Sequence, residues 1–279
     1  ESGYVLETNL ESSLQSGDYD AAFVCAPNHL HVPISQQVAD AGLALFVEKP
    51  LSHTRKGIAP LLDSVRKKGL IAMAGFNLRF EPGLQYLKST VDVSNVAFAK
   101  IECGSHMPAW RPNADYRSSY SARRSLGGGI ILDDVHELDY ACWLFGYPQK
   151  TASVFGRYSN FEIDVEDTAD IHLGYPDKLV TLHMDYIQHR YTRTCKICFR
   201  DGVSVEWVYG DHVTEFNESV EHTFQYRDSF ETNDMYKNEI AHFLACLDGG
   251  VMPESNLENA AKILDIALRA KRSSSEWRR

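Results

Sequence analysis

The chain has 279 residues, enough for one large domain or two ordinary ones. Its hydrophobic fraction of 44% is that of a globular protein, and the net charge of -10 argues against nucleic acid as a partner. No apolar run approaches the length of a membrane span and no signal peptide is visible, so no membrane partner is expected. The cysteines at 25, 103, 142, 195, 198 and 246 are scattered. The single C-x-x-C at 195–198 falls in a strand pattern that turns the two thiols to opposite faces. Reduced thiols in a cytoplasmic protein, without a metal site, are therefore expected.

In chain order, a short helix is expected around Leu10–Leu14, then a buried strand at Asp20–Ala26 that stops at Pro27. A helix follows over His31–Ala41, closed by Gly42. Leu43–Val47 is an apolar strand that runs into Glu48-Lys49-Pro50. The pattern continues as a helix over Thr54–Lys68 and a strand over Leu70–Gly75. Strands alternating with helices through short connections imply right-handed crossovers and a parallel sheet. From Phe76 the pattern changes. A helix at about Gly83–Lys88 leads to a strand at Val96–Cys103 and a polar, aromatic-rich loop from His106 to Arg124. Gly127-Gly128-Gly129 opens a helix running to Phe145. Strand-like runs then cover 151–158, 168–175, 179–187, 193–199, 203–208 and 222–226, which suggests an antiparallel sheet. Helices at Met235–Leu247 and Leu257–Ala270 close the chain. The expected fold is a partial Rossmann-type parallel sheet over 1–76, followed by an α+β domain over 77–279 with a large open antiparallel sheet. The final helix is a candidate to return to the first unit.

Lys49 stands at the carboxyl end of a buried strand. That end is where ligands sit in an open α/β sheet. The expected helix after the glycines places Asp133, His136 and Tyr140 on one face, and a carboxylate beside a histidine raises its basicity, as a general base needs. Gly127-x-Gly129 is not a dinucleotide fingerprint, because polar and basic residues precede it rather than an apolar strand. The loop from His106 to Arg124 sets Arg111, Arg117, Arg123 and Arg124 against only Asp115, with Arg79 behind it. Such arginines suit a carboxylate, phosphate or nucleotide-sugar group, or else pairing with a neighbouring acidic subunit.

Four motifs in order carry a family resemblance: Pro27-Asn28 to His31, Glu48-Lys49-Pro50, Asn77 to Phe80, and the glycines followed by Asp133, His136 and Asp139. Together they resemble the glucose–fructose oxidoreductase / inositol dehydrogenase (Gfo/Idh/MocA) family over essentially the whole chain. The resemblance implies hydride transfer between NAD or NADP and a sugar or cyclitol carbon, in a two-domain subunit that forms a homodimer or homotetramer. It makes Lys49 the hydrogen-bond donor to the reacting oxygen, His136 the proton-exchanging group and Asp133 its acidic neighbour. Asp134 is an alternative to Asp133, since many members space the pair by four. Pro27, Asn28, His31, Glu48, Lys49 and Pro50 are the expected contacts to the nicotinamide end. Arg79, Trp110, Arg111, Tyr116, Arg117, Arg123 and Tyr140 are the expected substrate contacts. Trp110-Arg111-Pro112, Asp115-Tyr116-Arg117, Ser119 to Ala122 and His136 to Tyr140 are similar to members of nonulosonic-sugar pathways.

The family's first strand, glycine turn and second strand have no counterpart before Glu1, with roughly sixty residues missing relative to the usual cofactor unit. That leads to the expectation that this chain alone binds NAD or NADP weakly or not at all and shows no measurable dehydrogenase activity, while a full-length parent has both. Two alternatives remain at this stage: a non-catalytic sugar-binding relative, and an NAD-assisted glycosidase or lyase. Substrate, direction and the choice of NAD or NADP are not legible in the sequence.

Overall fold

The computed structural model describes residues 6–218 and 221–273. The chain opens with helix α1 (Leu10–Gln15), strand β1 (Ala21–Val24), α2 (His31–Asp40), β2 (Ala44–Glu48), α3 (Ile58–Lys68) and β3 (Ala72–Gly75). The three strands form a parallel sheet in the order β1-β2-β3, with Phe23 beside Phe46 and Glu48 beside Gly75. β2 and β3 are apolar almost throughout because helices and loops cover both sides of a parallel sheet. α3 starts at Ile58 rather than Thr54, because Ser52 and Thr54 turn back on the amides of Thr54 and Lys56. It ends where Lys68 Nζ donates to the carbonyls of Ala39 and Asp40, capping α2.

The second part contains α4 (Pro82–Thr90), β4 (Val96–Gly104), α5 (Ile130–Asp133), α6 (Val135–Phe145), β5 (Lys150–Gly156), β6 (Thr168–Gly174) and β7 (Leu179–Asp185). It continues with β8 (Thr192–Phe199), β9 (Ser204–Val208), β10 (His212–Phe216), β11 (Glu221–Gln225), α7 (Thr232–Leu247) and α8 (Leu257–Ser273). The eight strands pair in the order β11-β10-β9-β8-β4-β7-β6-β5. This sheet is mixed rather than antiparallel: β4 and β7 run in the same direction, Ile101 beside Leu182. β4 enters from the first unit and lies between β7 and β8, so one of its neighbours must be parallel to it. β10 was not expected, since His212-Val213-Thr214-Glu215-Phe216 lacks a clean apolar alternation.

One face of the mixed sheet is core, with Ile101, Ile171, Leu173, Val180, Leu182 and Ile197 buried. α6 and α8 pack against it. The opposite face carries Lys100, Glu102, Asp170, His172, His183, Lys196 and Glu206. α8 also packs on β3 and α3, and Arg55 pairs with Asp265 at 2.6 Å. Just before α8, the Ser255 carbonyl accepts from the Ala74 amide at 2.8 Å, extending the parallel sheet. The six cysteines are free thiols, with Cys195 buried and Cys198 half-buried as their alternation requires. Among the described residues no helix is long and apolar enough to cross a membrane.

Candidate active site

Lys49 leaves the carboxyl end of β2 through a cis Lys49–Pro50 bond. Its amide donates to Glu48 Oε2 at 3.2 Å, and its ammonium donates to the backbone carbonyl of Asp133 at 2.6 Å. The cation thus lies against the segment carrying His136, which belongs to the other part of the chain. Asn28 Nδ2 donates to the Gly127 carbonyl at 3.1 Å, a second tie between the two parts. The glycine triplet serves this approach. A Cβ on Gly127 would lie 2.6 Å from that of His53, and Gly129 holds a φ of +109° beside the Glu166 carboxylate.

The helix expected from 127 to 145 is broken. Asp134, at φ -94° and ψ 35°, separates α5 from α6. Asp133, His136 and Tyr140 therefore do not form one face. Asp133 is buried and accepts a hydrogen bond from Tyr186 Oη, while its Oδ1 has no partner. Burial pushes the Asp133 carboxyl up, against the opposing pull of Lys49 and Tyr186. Asp134 turns instead toward Arg193, 3.7 Å away, and Arg193 Nε lies 2.8 Å from Glu137 Oε1. Cys103, Asp134 and Glu137 bring their ligand-type atoms within 4.8 Å of one another, but Arg193 already supplies the positive charge there.

His136 is nearly buried, edge-on to Phe76 at 6.0 Å, and its Nδ1 has no partner. The expectation of a carboxylate that raises its basicity is not met. Burial first, then the charges of Lys49 and Arg193, hold the imidazole well below the ordinary histidine range. These surroundings favour the neutral ring, whose free nitrogen keeps a lone pair, and make it a weaker base than an exposed histidine.

Beside these groups lies a cleft of about 330 Å³ lined by Pro27, Trp110, Arg111, Tyr116, Tyr120 and Ser121, among others. Tyr120 connects it to the Lys49 site: burial pushes its phenol up, Asp133 acts in the same direction, and Lys49 and Arg111 oppose. Trp110, Arg111 and Tyr116, expected from the sequence as substrate contacts, line this one cleft. Arg117 and Arg123 are not among the lining residues. Arg117 pairs with Asp115 at 2.9 Å and Glu162 at 2.8 Å, and the Arg124 amide donates to Asp164 at 2.6 Å. Of the four loop arginines only Arg117 is ion-paired among the described residues, while the Arg124 guanidinium donates to the Asp164 backbone carbonyl. Arg111 has no ion-pair partner among the described residues.

Three expected ligand contacts are corrected. Arg79 is 3% exposed and forms a two-pronged pair with Asp139 at 2.7 and 2.8 Å, so its charge is spent within the fold. Tyr140 is fully buried against Trp207, with ring centroids 5.6 Å apart. His31 is 1% exposed and has both ring nitrogens against backbone carbonyls. The sequence reading missed Tyr120, Ser121, Tyr186 and Arg193. Tyr120 and Ser121 were legible only as part of a motif, while Tyr186 and Arg193 had no local signal.

A signature described as an oxidoreductase family with an NAD-binding Rossmann fold matches residues 3–76. A second, for the Gfo/Idh/MocA C-terminal domain, matches residues 96–205. The chain belongs to the Gfo/Idh/MocA family. An uncharacterised oxidoreductase, YrbE of Bacillus subtilis, is 31% identical over 58% of this chain and 47% of its own length. The 2,7-anhydro-N-acetylneuraminate hydratase of Mediterraneibacter gnavus is 25% identical over 67% of this chain and 47% of its own. The chain thus spans about half the length of these curated Gfo/Idh/MocA relatives. Among solved structures, levoglucosan dehydrogenase in complex with NADH and levoglucosan superposes with a TM-score of 0.83 at 18% identity. That match covers 97% of this chain and 82% of the other, a likeness of fold.

Proposed function

We propose that this protein is an NAD(P)-dependent oxidoreductase acting on a hydroxyl or keto carbon of a sugar or sugar derivative. The observation that carries the reading is the convergence of Lys49 and His136: the Lys49 ammonium sits on the Asp133 carbonyl, three residues before a neutral, partner-poor imidazole. The residues present fit the reactive end of a nicotinamide. Asn77 Oδ1, Asp133 Oδ1 and His136 Nδ1 are buried polar atoms left without partners around the carboxyl end of the parallel sheet. Pro27, Asn28, Glu48, Lys49 and Pro50 would surround that end, and the bound nicotinamide supplies the hydride acceptor or donor.

The other steps fall to this chain's side chains. Lys49 places a positive charge on the substrate oxygen and favours its alkoxide character. His136, kept unprotonated, takes the hydroxyl proton as the carbon is oxidised, and returns it in the reverse direction. Asp133, tied to Tyr186, fixes the strap on which both groups meet. Trp110 and Tyr116 offer ring faces to the sugar, and Arg111 offers its charge to an acidic group on it. The polar outer face of the mixed sheet is our candidate surface for a homodimer or homotetramer. A boundary near residue 76 divides the cofactor unit from the substrate unit.

A hydratase among the relatives favours a second reading, in which oxidation is transient and the net reaction is addition or elimination. Both readings need the same proton transfer. In the native protein, His136→Ala is expected to lower turnover about 100-fold or more. Near-normal turnover would remove His136 from the mechanism.

A further inference from the structure

His31 opens α2 directly below the carboxyl ends of β1 and β2 and is 1% exposed. Its Nδ1 lies 2.7 Å from the Pro50 carbonyl oxygen and its Nε2 lies 2.6 Å from the Ala26 carbonyl oxygen. A carbonyl oxygen can only accept. A neutral imidazole has one donor and one lone pair, so in one of the two contacts two lone pairs would face each other. We propose that His31 donates from both ring nitrogens, as a buried imidazolium that staples the end of β1 to the Lys49–Pro50 turn and so positions Lys49. The role in catalysis rests on the function proposed above, whereas the double donation does not.

One feature agrees with a positive ring at this place, and two more with a staple. Glu48, in the residue pair just before Pro50, supplies a nearby negative charge. Burial pushes that carboxyl up, while Lys49 first and His31 after it pull it back. The turn is also held from both sides. Its first residue bonds through Nζ to the Asp133 carbonyl, and its second bonds through its carbonyl to His31. The staple further reaches the residue before Pro27, so the two motifs flanking the cofactor end move as one body. His31 is thus a positioning residue that touches neither substrate nor cofactor.

The direct test is nitrogen-15 NMR of the native protein at neutral pH, with the His31 ring assigned by through-bond correlation to its own backbone. Two ring N–H groups on His31 are expected. A single N–H with a bare second nitrogen would overturn the proposal, whatever the enzyme's activity. In His31→Gln, amide exchange at Ala26, Asn28, Lys49 and Leu51 is expected to quicken about tenfold or more while that of α8 is unchanged, as a local rather than global opening requires. Turnover should fall about tenfold with the sugar KM nearly constant, because a misplaced Lys49 weakens the transition state more than the ground state. Unchanged exchange at those four amides would also overturn the staple, and a variant that does not fold leaves the NMR result to decide.

Discussion

Glu239 on α7 offers a sharp test of the buried electrostatics. It is 2% exposed, its Oε1 has no partner, and the negative neighbours are Glu48 and Asp139. Burial first, then those two charges, pushes its carboxyl from 4.5 up to about 9. The folded protein therefore holds a proton on Glu239 at pH 7 that the unfolded chain releases. Between pH 4.5 and about 9 the folded state is the stronger proton binder, so stability falls as pH rises through that window. At about 1.4 kcal/mol per pH unit, the interval from 4.5 to pH 7 amounts to about 3 kcal/mol. Glutamine has the same shape and no proton to retain. Glu239→Gln should raise the melting temperature at pH 7 by roughly 6–12 °C, at 2–4 °C per kcal/mol for a chain of this size. The gain should shrink toward zero as pH falls to 4.5. Thermal denaturation followed by circular dichroism across that range is the assay. A gain that is independent of pH, or absent at pH 7, would show that Glu239 is not a protonated buried acid.

The Arg79–Asp139 pair makes a contrasting prediction. Removing one partner, as in Arg79→Leu, should destabilise the protein by about 3–5 kcal/mol, and Arg79→Leu with Asp139→Leu together should recover most of that loss in urea unfolding. For substrate choice, Arg111→Ala should raise the KM for an acidic sugar about tenfold or more, the scale of a lost charged hydrogen bond, and leave a neutral sugar nearly unaffected. Equal effects on both, in a steady-state comparison, would remove the acidic-group role.

What the sequence disclosed was mostly what a local pattern can encode. The parallel strands were legible because β2 and β3 are short apolar runs between helices, and the ligand end followed from the strand direction. Lys49, Asn28, Trp110, Arg111 and Tyr116 were singled out through motifs; the structure brings the first two to the junction of the two parts and the last three to one cleft. The break at Asp134 was not legible, because nothing in Leu132-Asp133-Asp134-Val135 forbids a continuous helix. Once the helix breaks, Asp134 and Glu137 turn to Arg193 on β8, a partner dozens of positions away that no spacing rule supplies. The same limit explains the loop arginines. Asp115 was visible nearby, but Glu162 pairs with Arg117, and Asp164 accepts from the Arg124 amide, from across a fold that had to be seen. His31, Arg79 and Tyr140 were misread because motif membership does not say whether a side chain faces a ligand or the core. The parallel pairing of β4 with β7 is likewise a tertiary fact, since alternation fixes which face a residue takes and not the direction of its neighbour.

In the proposed reaction hydrogen moves between a sugar carbon and a nicotinamide, with His136 handling the proton. The most direct measurement uses the native protein with a sugar substrate carrying deuterium at the reacting carbon, and mass analysis of the recovered dinucleotide. Deuterium is expected on the reduced nicotinamide, with formation slowed about 100-fold or more in His136→Ala. Turnover of the sugar with no deuterium passing to the nicotinamide at any stage would contradict it.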